Sequence, residues 1–506
     1  DAIAGSVTST FTYNDDGTRI TTDRNGNTST RKFDSNGLLL SHTDENGNTK
    51  TYTYDGHYNI LKETDANGKS IVKEYNSFNK PISITDRNGN KTTISYDTNG
   101  NIVKISHPNI NGVIPEETFV YNSRNQLLHH TDLRGTVTVY TYDSSAMPLT
   151  KKVGSRNAIQ YSYQGGLLKS QTDAMGYTTQ YGHNAIGQVI TKTDANGKVT
   201  SYEYDACGNL LKTTDAEGKT VENVYDGNHQ KTSVKDANGN ITTYAYNGNM
   251  KNSLITLPDG KTISYEFDGE DRPVKVTDQA NNVTTTQYDK AGRVISKHLA
   301  DGGSVQYEYD KVGNVVKEIN PNGAVTVKTY DGNGNVLSQK DNAGNIIRYD
   351  YDAMNRVVRA VNSASGATVY EYSKAGDLLS ETDALGNKKT YTYDAFGNKL
   401  TATDAKGNVT SYTFDANDNL LTVKDALNNI TTYTYNNLNQ LVLVKDAKNN
   451  TVTYGYDALG RRTTIRDAKN NVFTTTYDGN GNVLKTIDAK GNTISETVYN
   501  SLNKPA

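Results

Sequence analysis

The chain has 506 residues, and hydrophobic residues make up 34% of it, against about 45–50% in an average globular protein. So few apolar side chains exclude several conventional cores, while abundant strand-forming Tyr (36 residues) and a net charge of only −3 exclude a disordered chain. The 53 basic and 56 acidic residues are interspersed, which excludes the basic stripe that a nucleic acid partner requires.

A single motif recurs along the whole chain. From Phe33 an aromatic residue followed by Asp or a similar residue returns every 21 residues, with one step of 25 residues before Tyr121 and one of 20 before His183. From Tyr204 to Tyr477 the period is 21 residues throughout, and about 24 copies fit into the chain. The sequence therefore predicts a single tandem repeat array over 1–506.

The aromatic at this position is predicted to be structural, because Tyr-x-Tyr places two rings on one face of a strand. These repeat aromatics are Tyr54, Tyr75, Tyr96, Tyr204, Tyr225, Tyr246, Tyr309, Tyr330, Tyr351, Tyr393, Tyr435, Tyr456 and Tyr477.

Each copy contains two turn signals separated by short runs of β-forming residues. The first turn follows the aromatic and reads Asp-Ala-x-Gly-Asn, as at 205–209, and the second turn reads Asp-Ala-x-Gly, often followed by Asn, as at 236–240. Asp accepts hydrogen bonds from backbone N–H groups two residues ahead, and Gly supplies a left-handed conformation; Asn after the Gly also tolerates a positive φ. The repeat is thus predicted to be strand–turn–strand–turn.

One copy cannot fold alone, because it has only two aromatics and one aliphatic side chain to bury. We therefore expect an all-β fold, in which the 21-residue hairpins form one continuous antiparallel sheet of nearly fifty strands. Strand twist accumulates in so long a sheet. The sheet should coil into a spiral, a tube or a hollow shell.

The regular pattern is broken in a few places. The 25-residue step contains an insertion at 105–118, whose Pro108 and Pro115 suit an exposed loop. Stretches 153–160 and 256–260 replace the usual second turn. The insertion is the best candidate for a localised partner contact, although a longer turn without function is the simpler interpretation.

No motif for catalysis, cofactor binding or a metal ion stands out. The eight His residues lack metal-ligand spacing, Cys207 is a single thiol in a first turn, and the GNGN stretches at 332–335 and 479–482 lack the residues of a phosphate loop. The recurring Asp residues resemble parts of calcium loops but lack the spacing of known ones. We expect no enzyme, no cofactor, no metal site and no membrane insertion, since no apolar run is long enough.

The 21-residue period, the Tyr-Asp pair and the Asp-Ala-x-Gly-Asn turns resemble the YD repeat of Rhs-type proteins. Bacterial polymorphic toxins, insecticidal toxin complexes and animal teneurins share this repeat. The resemblance implies a strip of hairpins that spirals into a hollow shell. In the toxin members that shell encloses a toxic domain, and in teneurins it is a cell-surface scaffold.

The function expected from these features is a non-enzymatic shell or scaffold. It would be a segment of a larger secreted or surface protein of bacterial origin, cut mid-repeat at 500–506, that encapsulates or displays a toxin or other cargo. The alternative is a cell-surface adhesin that binds carbohydrate or a partner cell. The expected partner is accordingly an enclosed toxin domain, or a surface glycan or protein, and the expected location is extracellular or at the cell surface.

Overall fold

The computed structural model describes residues 9–506, and its secondary structure there consists of strands and turns. All 47 strands belong to one sheet. Strands of five and six residues alternate over most of the chain, which is the length that the spacing of the turn signals predicts.

The first half of the sheet contains β1 (Thr10–Tyr13), β2 (Thr18–Thr22), β3 (Thr28–Phe33), β4 (Leu39–Thr43), β5 (Thr49–Tyr54), β6 (Ile60–Thr64), β7 (Ser70–Tyr75), β8 (Pro81–Thr85), β9 (Lys91–Tyr96), β10 (Ile102–Ser106), β11 (Glu116–Tyr121), β12 (Leu127–Thr131), β13 (Val137–Tyr142), β14 (Pro148–Val153), β15 (Ile159–Gln164), β16 (Leu167–Thr172), β17 (Thr178–His183), β18 (Val189–Thr193), β19 (Val199–Tyr204), β20 (Leu210–Thr214), β21 (Thr220–Tyr225), β22 (Lys231–Lys235), β23 (Ile241–Tyr246) and β24 (Asn252–Thr256).

The second half contains β25 (Thr262–Phe267), β26 (Pro273–Thr277), β27 (Val283–Tyr288), β28 (Val294–His298), β29 (Ser304–Tyr309), β30 (Val315–Ile319), β31 (Val325–Tyr330), β32 (Val336–Lys340), β33 (Ile346–Tyr351), β34 (Val357–Val361), β35 (Ala367–Tyr372), β36 (Leu378–Thr382), β37 (Lys388–Tyr393), β38 (Lys399–Thr403), β39 (Val409–Phe414), β40 (Leu420–Lys424), β41 (Ile430–Tyr435), β42 (Leu441–Lys445), β43 (Thr451–Tyr456), β44 (Arg462–Arg466), β45 (Val472–Tyr477), β46 (Val483–Ile487) and β47 (Thr493–Glu496).

Pairing follows the order of the chain, as the repeat around β20 shows. β20 pairs antiparallel with β19 on one side and with β21 on the other. Tyr204 lies opposite Leu210, whereas Glu203 lies opposite Lys212, so Leu211 is the extra residue of a β-bulge. The predicted all-β class and the continuous antiparallel sheet of tandem hairpins are confirmed.

The sheet is a single layer with hardly any interior. Among residues 9–506 the buried apolar side chains are Ala174, which is 7% exposed, and the prolines Pro108 and Pro115. In β5 the side chains of Tyr52 and Tyr54 are half-buried on one face, while Thr51 and Thr53 are exposed on the other. Stability must therefore come from side-chain rows along the strands and from the turns, as the low apolar content of the sequence implies.

The first turn at 205–209 shows how the Asp residues act. The Asp205 carboxylate accepts hydrogen bonds from the N–H of Cys207 (2.9 Å) and of Asn209 (2.8 Å), and Gly208 has a φ of +92°. The side-chain amide of Asn209 donates to the same carboxylate at 2.7 Å, and its φ is not positive. The predicted turn chemistry is confirmed for Asp and Gly, but the predicted backbone role for Asn is wrong, because Asn closes the turn through its side chain.

The insertion at 105–118 forms a small loop between β10 and β11. The N–H of Ile110 donates to the Val113 carbonyl at 2.8 Å, and the tip around Val113 and Ile114 is exposed. The tip of the predicted loop is thus exposed, whereas Pro108 and Pro115 at its base are buried. A proline at the base of a loop packs its ring where an N–H group would otherwise need a partner.

The contacts divide the chain into two compact units. Unit 1 consists of Asp1–Phe119 and Ile263–Asn387, and unit 2 consists of Val120–Thr262 and Lys388–Ala506. Each unit therefore combines an early segment with one that begins more than 120 residues further along the chain. The single array over 1–506 stays a prediction.

Candidate functional site: the docking seams

In most standard repeats the Tyr hydroxyl donates a hydrogen bond to a backbone carbonyl in the repeat before it. Tyr225 donates to the carbonyl of Leu210 at 3.2 Å, and Tyr456 donates to that of Leu441 at 2.7 Å. Leu210 directly precedes the bulged Leu211, so the hydroxyl reaches the ladder where its regular bonding is interrupted. Among the predicted aromatics the same 15-residue bond is formed by Tyr54, Tyr75, Tyr96, Tyr204, Tyr246, Tyr309, Tyr330, Tyr351 and Tyr477.

The two remaining predicted aromatics are also engaged. Tyr435 bonds to the backbone of Leu420, and Tyr393 has a partner as well. All of the predicted aromatics are half-buried rather than exposed. Burial raises the pKa of the Tyr330 and Tyr351 hydroxyls, because the phenolate form would lose its hydration.

The sequence did not predict a second kind of contact, which joins turns far apart in the chain. In unit 1, second turns of the early segment contact first turns of the late segment, with hydrogen bonds between residues 243–247 apart. We call this row the unit 1 docking seam; it pairs turns 23–27, 44–48, 65–69 and 86–90 with turns beginning at 268, 289, 310 and 331.

The pairing at Gly332 shows the geometry of one contact in the unit 1 docking seam. The Asn88 side-chain amide donates to the Asp331 carboxylate at 2.8 Å, and its oxygen accepts from the Gly332 N–H at 2.9 Å. In return the Asn333 amide donates to the Asp86 carboxylate at 2.7 Å. We call this reciprocal arrangement an amide lock.

Gly332 is required because the backbone of the opposing turn comes close to it, and not because of its own φ angle. A Cβ at Gly332 would lie 2.6 Å from the Arg87 carbonyl oxygen, closer than real Cβ atoms come, and its φ lies outside the left-handed region. Gly269 repeats the arrangement, because its N–H donates to Asn25 at 2.8 Å and a Cβ there would lie 2.8 Å from the Arg24 carbonyl oxygen. At the same contact Arg24 pairs with Asp271 at 2.7 Å.

A Lys in place of this Gly weakens the lock. Where the turn carries Lys311, Asn67 keeps only the bond to the Asp310 carboxylate, at 3.1 Å. Where the turn carries Lys290, the amide nitrogen of Asn46 is buried without a hydrogen-bond partner. Asn46 and Lys290 line the same cavity of about 630 Å³, so the two turns face each other without bonding through this amide.

Unit 2 contains its own row of such contacts, the unit 2 docking seam, which pairs second turns at 132–240 with first turns at 394–482. The Gly479 N–H donates to Asn238 at 2.9 Å, and Asn238 donates to the Asp478 carboxylate at 2.9 Å. The Asn480 amide donates to the Asp236 carboxylate at 2.7 Å. A Cβ on Gly479 would lie 2.6 Å from a backbone oxygen, as at Gly332.

The irregular stretch 153–160 also belongs to the unit 2 docking seam. The Arg156 guanidinium lies 3.7 Å from the centre of the Phe396 ring and pairs with Asp418. Thr136 donates its hydroxyl hydrogen to the Ala395 carbonyl at 2.5 Å. This departure from the repeat thus replaces an amide lock with an arginine contact, a stacked and charged arrangement.

Asp331 and Asp478, one in each seam, carry lowered pKa values. For Asp331 burial is the largest single effect and acts to raise the pKa, but hydrogen bonds from Asn335 and Asn88 together outweigh it and the net direction is down. The same balance holds for Asp478, with bonds from Asn482 and Asn238. These carboxylates serve as hydrogen-bond acceptors for the amides across the seam.

The structure does not assemble the candidate chemical groups of the sequence into a site. Within residues 9–506 no group of three or more His, Cys, Asp or Glu side chains is placed to hold a metal ion. Over the same described part of the chain no helix is long and apolar enough to cross a membrane. Cys207 is exposed at the third position of its turn.

The seams had a signal in the sequence. The GNGN stretches at 332–335 and 479–482 begin with Gly332 and Gly479. Each of these glycines contacts a turn from the other segment of its unit. Gly at the second position of a turn that needs no positive φ is unexplained locally and indicates close approach by another backbone. Which turns meet could not be predicted, because pairing depends on how far the sheet twists per strand.

Comparison with protein families agrees with this architecture. The Teneurin YD-shell family matches residues 7–171, 202–328, 228–366 and 325–477, and the RHS repeat family matches residues 183–220. No curated protein matches the chain in sequence.

Solved structures show the same fold at low identity. The crystal structure of TcdB2-TccC3 has a TM-score of 0.70 at 14% identity and covers 95% of this chain. The form without its hypervariable C-terminal region has a TM-score of 0.65 at 14% identity and covers 96%. This chain covers 35% of each of those chains, so it spans about a third of their length.

The hairpin array, the repeating Tyr bonds and the family matches over most of the sequence lead to one conclusion: the chain belongs to the Teneurin YD-shell family and is built from Rhs-type YD repeats.

Proposed function

We propose that the chain is a non-enzymatic wall segment of a larger secreted or surface-exposed protein of bacterial origin, and that the wall encloses a toxin or other cargo. The observation that carries this proposal is the amide lock, which joins turns some 243 residues apart in a sheet with almost no core. A single-layer sheet fastened to itself along its turns separates one side from the other. It serves as a barrier rather than as a scaffold for a deep pocket.

The family and fold support the same role. The chain is a YD-shell protein, and the solved structures of similar fold are of TcdB2-TccC3, one of them described as lacking a hypervariable C-terminal region. A variable segment attached to a fold of this type is what we expect if the repeat wall stays the same while the enclosed cargo differs between proteins. Secretion or surface exposure of this chain is part of the proposal.

The adhesin alternative is less well supported. Carbohydrate platforms need exposed aromatic faces with free polar edges, whereas the repeat tyrosines are half-buried and most donate their hydroxyl hydrogen to the backbone. The Tyr rows therefore act within the sheet. A surface glycan or protein as partner would have to bind elsewhere on the chain.

A protease-protection assay tests enclosure. An unstructured peptide with a protease site is fused after Ala506, and its cleavage rate is compared between the native chain and the Gly332→Ala/Gly479→Ala variant, which opens both seams. We expect at least tenfold slower cleavage in the native fusion. Equal rates in the native fusion, the variant and the free peptide would contradict the proposal, and specific binding on a glycan array would favour the adhesin.

A further inference from the structure

Several second turns of the two seams contain Asn followed directly by Gly, and their backbones are alike. The N–H groups of Asn88 and Asn196 each donate to the Asp carboxylate of their own turn at 2.9 Å. The Gly89 N–H donates to the carbonyl of the first turn residue at 3.0 Å, and the Gly197 N–H does so at 2.9 Å. Asn is thermolabile in this pair, because Gly has no side chain to hinder attack on the Asn amide.

The side-chain amides of these turns differ in how they are held. Asn88 forms both hydrogen bonds of an amide lock, as Asn238 does in unit 2. Asn67 forms only the bond to the carboxylate of the opposing turn, at 3.1 Å. Asn196 is exposed, and within residues 9–506 its side chain has no hydrogen-bond partner. Turns with the same backbone therefore hold their Asn with two bonds, one bond or none.

We propose that the amide lock protects its Asn from deamidation and that Asn196, which lacks a lock, is a site of this modification. In deamidation the backbone nitrogen of the following Gly loses its proton and attacks the side-chain carbonyl carbon of Asn. A new C–N bond closes a five-membered succinimide, while the bond to the side-chain nitrogen breaks and ammonia leaves with the proton. Water then opens the ring to Asp or isoaspartate. The Asn side chain must turn back toward its own backbone for the attack, and a lock that holds the amide across the seam prevents this.

Deamidation also makes the opening of a lock permanent. A carboxylate at residue 88 accepts hydrogen bonds but cannot donate one to the Asp331 carboxylate, which now receives an amide hydrogen at 2.8 Å. Two negative charges at that distance repel each other. The seam thus opens in one direction, and this inference does not depend on what the wall encloses.

Peptide mapping by mass spectrometry measures the deamidation of each Asn while the native protein is incubated at mildly alkaline pH. The same chain in concentrated urea gives the rate of each turn sequence without the fold. We expect the ratio of the native rate to the denatured rate to be at least about tenfold lower for Asn88 and Asn238 than for Asn196, with Asn67 in between. Equal ratios for the four residues would overturn the proposal.

Variants that open one seam identify the lock as the cause. Gly332→Ala should raise the deamidation rate of Asn88 toward that of Asn196, while Asn238 in the other seam stays slow and reports an intact fold. Gly479→Ala should have the reverse effect. An unchanged rate at Asn88 in Gly332→Ala, or equal acceleration of Asn88 and Asn238, would overturn the proposal.

Asn88→Asp carries one of the two products and tests the permanent opening. Hydrogen exchange of the Gly332 amide should be at least about tenfold faster in this variant than in the native protein. Asn196→Asp is the matched control and should leave this exchange unchanged. Exchange at the native rate in Asn88→Asp would overturn the one-way opening.

Discussion

The turns beginning at Asp331 and Asp289 occupy equivalent places in the unit 1 docking seam, yet only one of them is locked. At Asp331 the opposing Asn88 forms two hydrogen bonds, whereas at Asp289 the opposing Asn46 has an amide nitrogen buried without a partner. The local turns are alike, but the second residue is Gly332 in one and Lys290 in the other. Gly at the second position thus allows the N–H of that residue to bond to the opposing Asn, as at Gly332, whereas beside Lys311 the opposing Asn67 bonds only to the Asp310 carboxylate.

Replacing Gly332 with Ala should break the locked member of this pair. The new Cβ would lie 2.6 Å from the Arg87 carbonyl oxygen, so the turns must separate and the seam should lose about 1–3 kcal/mol. Hydrogen exchange at the residue 332 amide measures the loss.

Gly227→Ala is the matched control, since nothing lies near that position. It should be neutral or stabilise the protein by about 0.4–1 kcal/mol, because Ala restricts the unfolded chain. Equal destabilisation by both substitutions would contradict the steric account.

Removing the Asn side chain that faces each of these two turns should also destabilise the locked contact more than the unlocked one. Asn88→Ala loses both hydrogen bonds and should cost about 1–2 kcal/mol, while Asn46→Ala should stay within about 0.5 kcal/mol of the native protein. Urea denaturation of each variant, with exchange of the Gly332 amide as a local readout, checks the difference. Similar losses from the two substitutions would show that the hydrogen bonds of the lock contribute nothing.

Acid should weaken the seams through their carboxylates. The folded pKa of Asp331 lies below its ordinary value of 3.8, so its contribution is present above that value and is lost as pH falls through the folded pKa. Tyr351 has a raised pKa, so its contribution is present below 10.0 and is lost as pH rises further. Burial lowers the pKa of His42, so stability measured across pH should show a separate loss that begins as pH falls below 6.5. The absence of any further loss as pH falls below 3.8 would contradict the assignment to the seam carboxylates.

The smallest effect is expected from installing the missing lock. Lys290→Gly would allow the Asn46 side-chain oxygen to accept a hydrogen bond from the backbone N–H of residue 290, but the flexible Gly offsets about 0.5–1 kcal/mol of the gain. We expect a net stabilisation of about 0.5 kcal/mol, together with slowed exchange of the residue 290 amide. Lys290→Ala, which keeps a Cβ, should show no such protection.

The repeat itself could be predicted from the sequence because its signals are local. Asp205 and Gly208 determine a turn, and Tyr202 with Tyr204 determines a face, within a few residues of each other. The half-buried state of the rings follows from the low apolar content, which leaves one layer of sheet.

The partners across the seams could not be predicted. That Asn88 meets Gly332 depends on twist summed over many strands, and a small change per strand would shift the pairing by a whole repeat. The Arg156 contact with Phe396 could not be predicted for a similar reason. An irregular stretch has the sequence of an ordinary loop, and its contact is recognised only when the neighbouring residues are known. The residues of a turn therefore carry no information about which distant turn lies opposite it in the coiled sheet.

The distance between Lys69 and Lys311 tests the central claim, that the sheet returns on itself about 243 residues later. Both side chains are exposed and adjoin the Asn67–Asp310 hydrogen bond. With spin labels on cysteines at these positions and Cys207→Ser, pulsed electron paramagnetic resonance should give a narrow distribution of short distances. A strip that does not coil would place the labels about 110 Å apart, since roughly 23 strands at about 4.8 Å separate them. The absence of a short distance would therefore contradict the account.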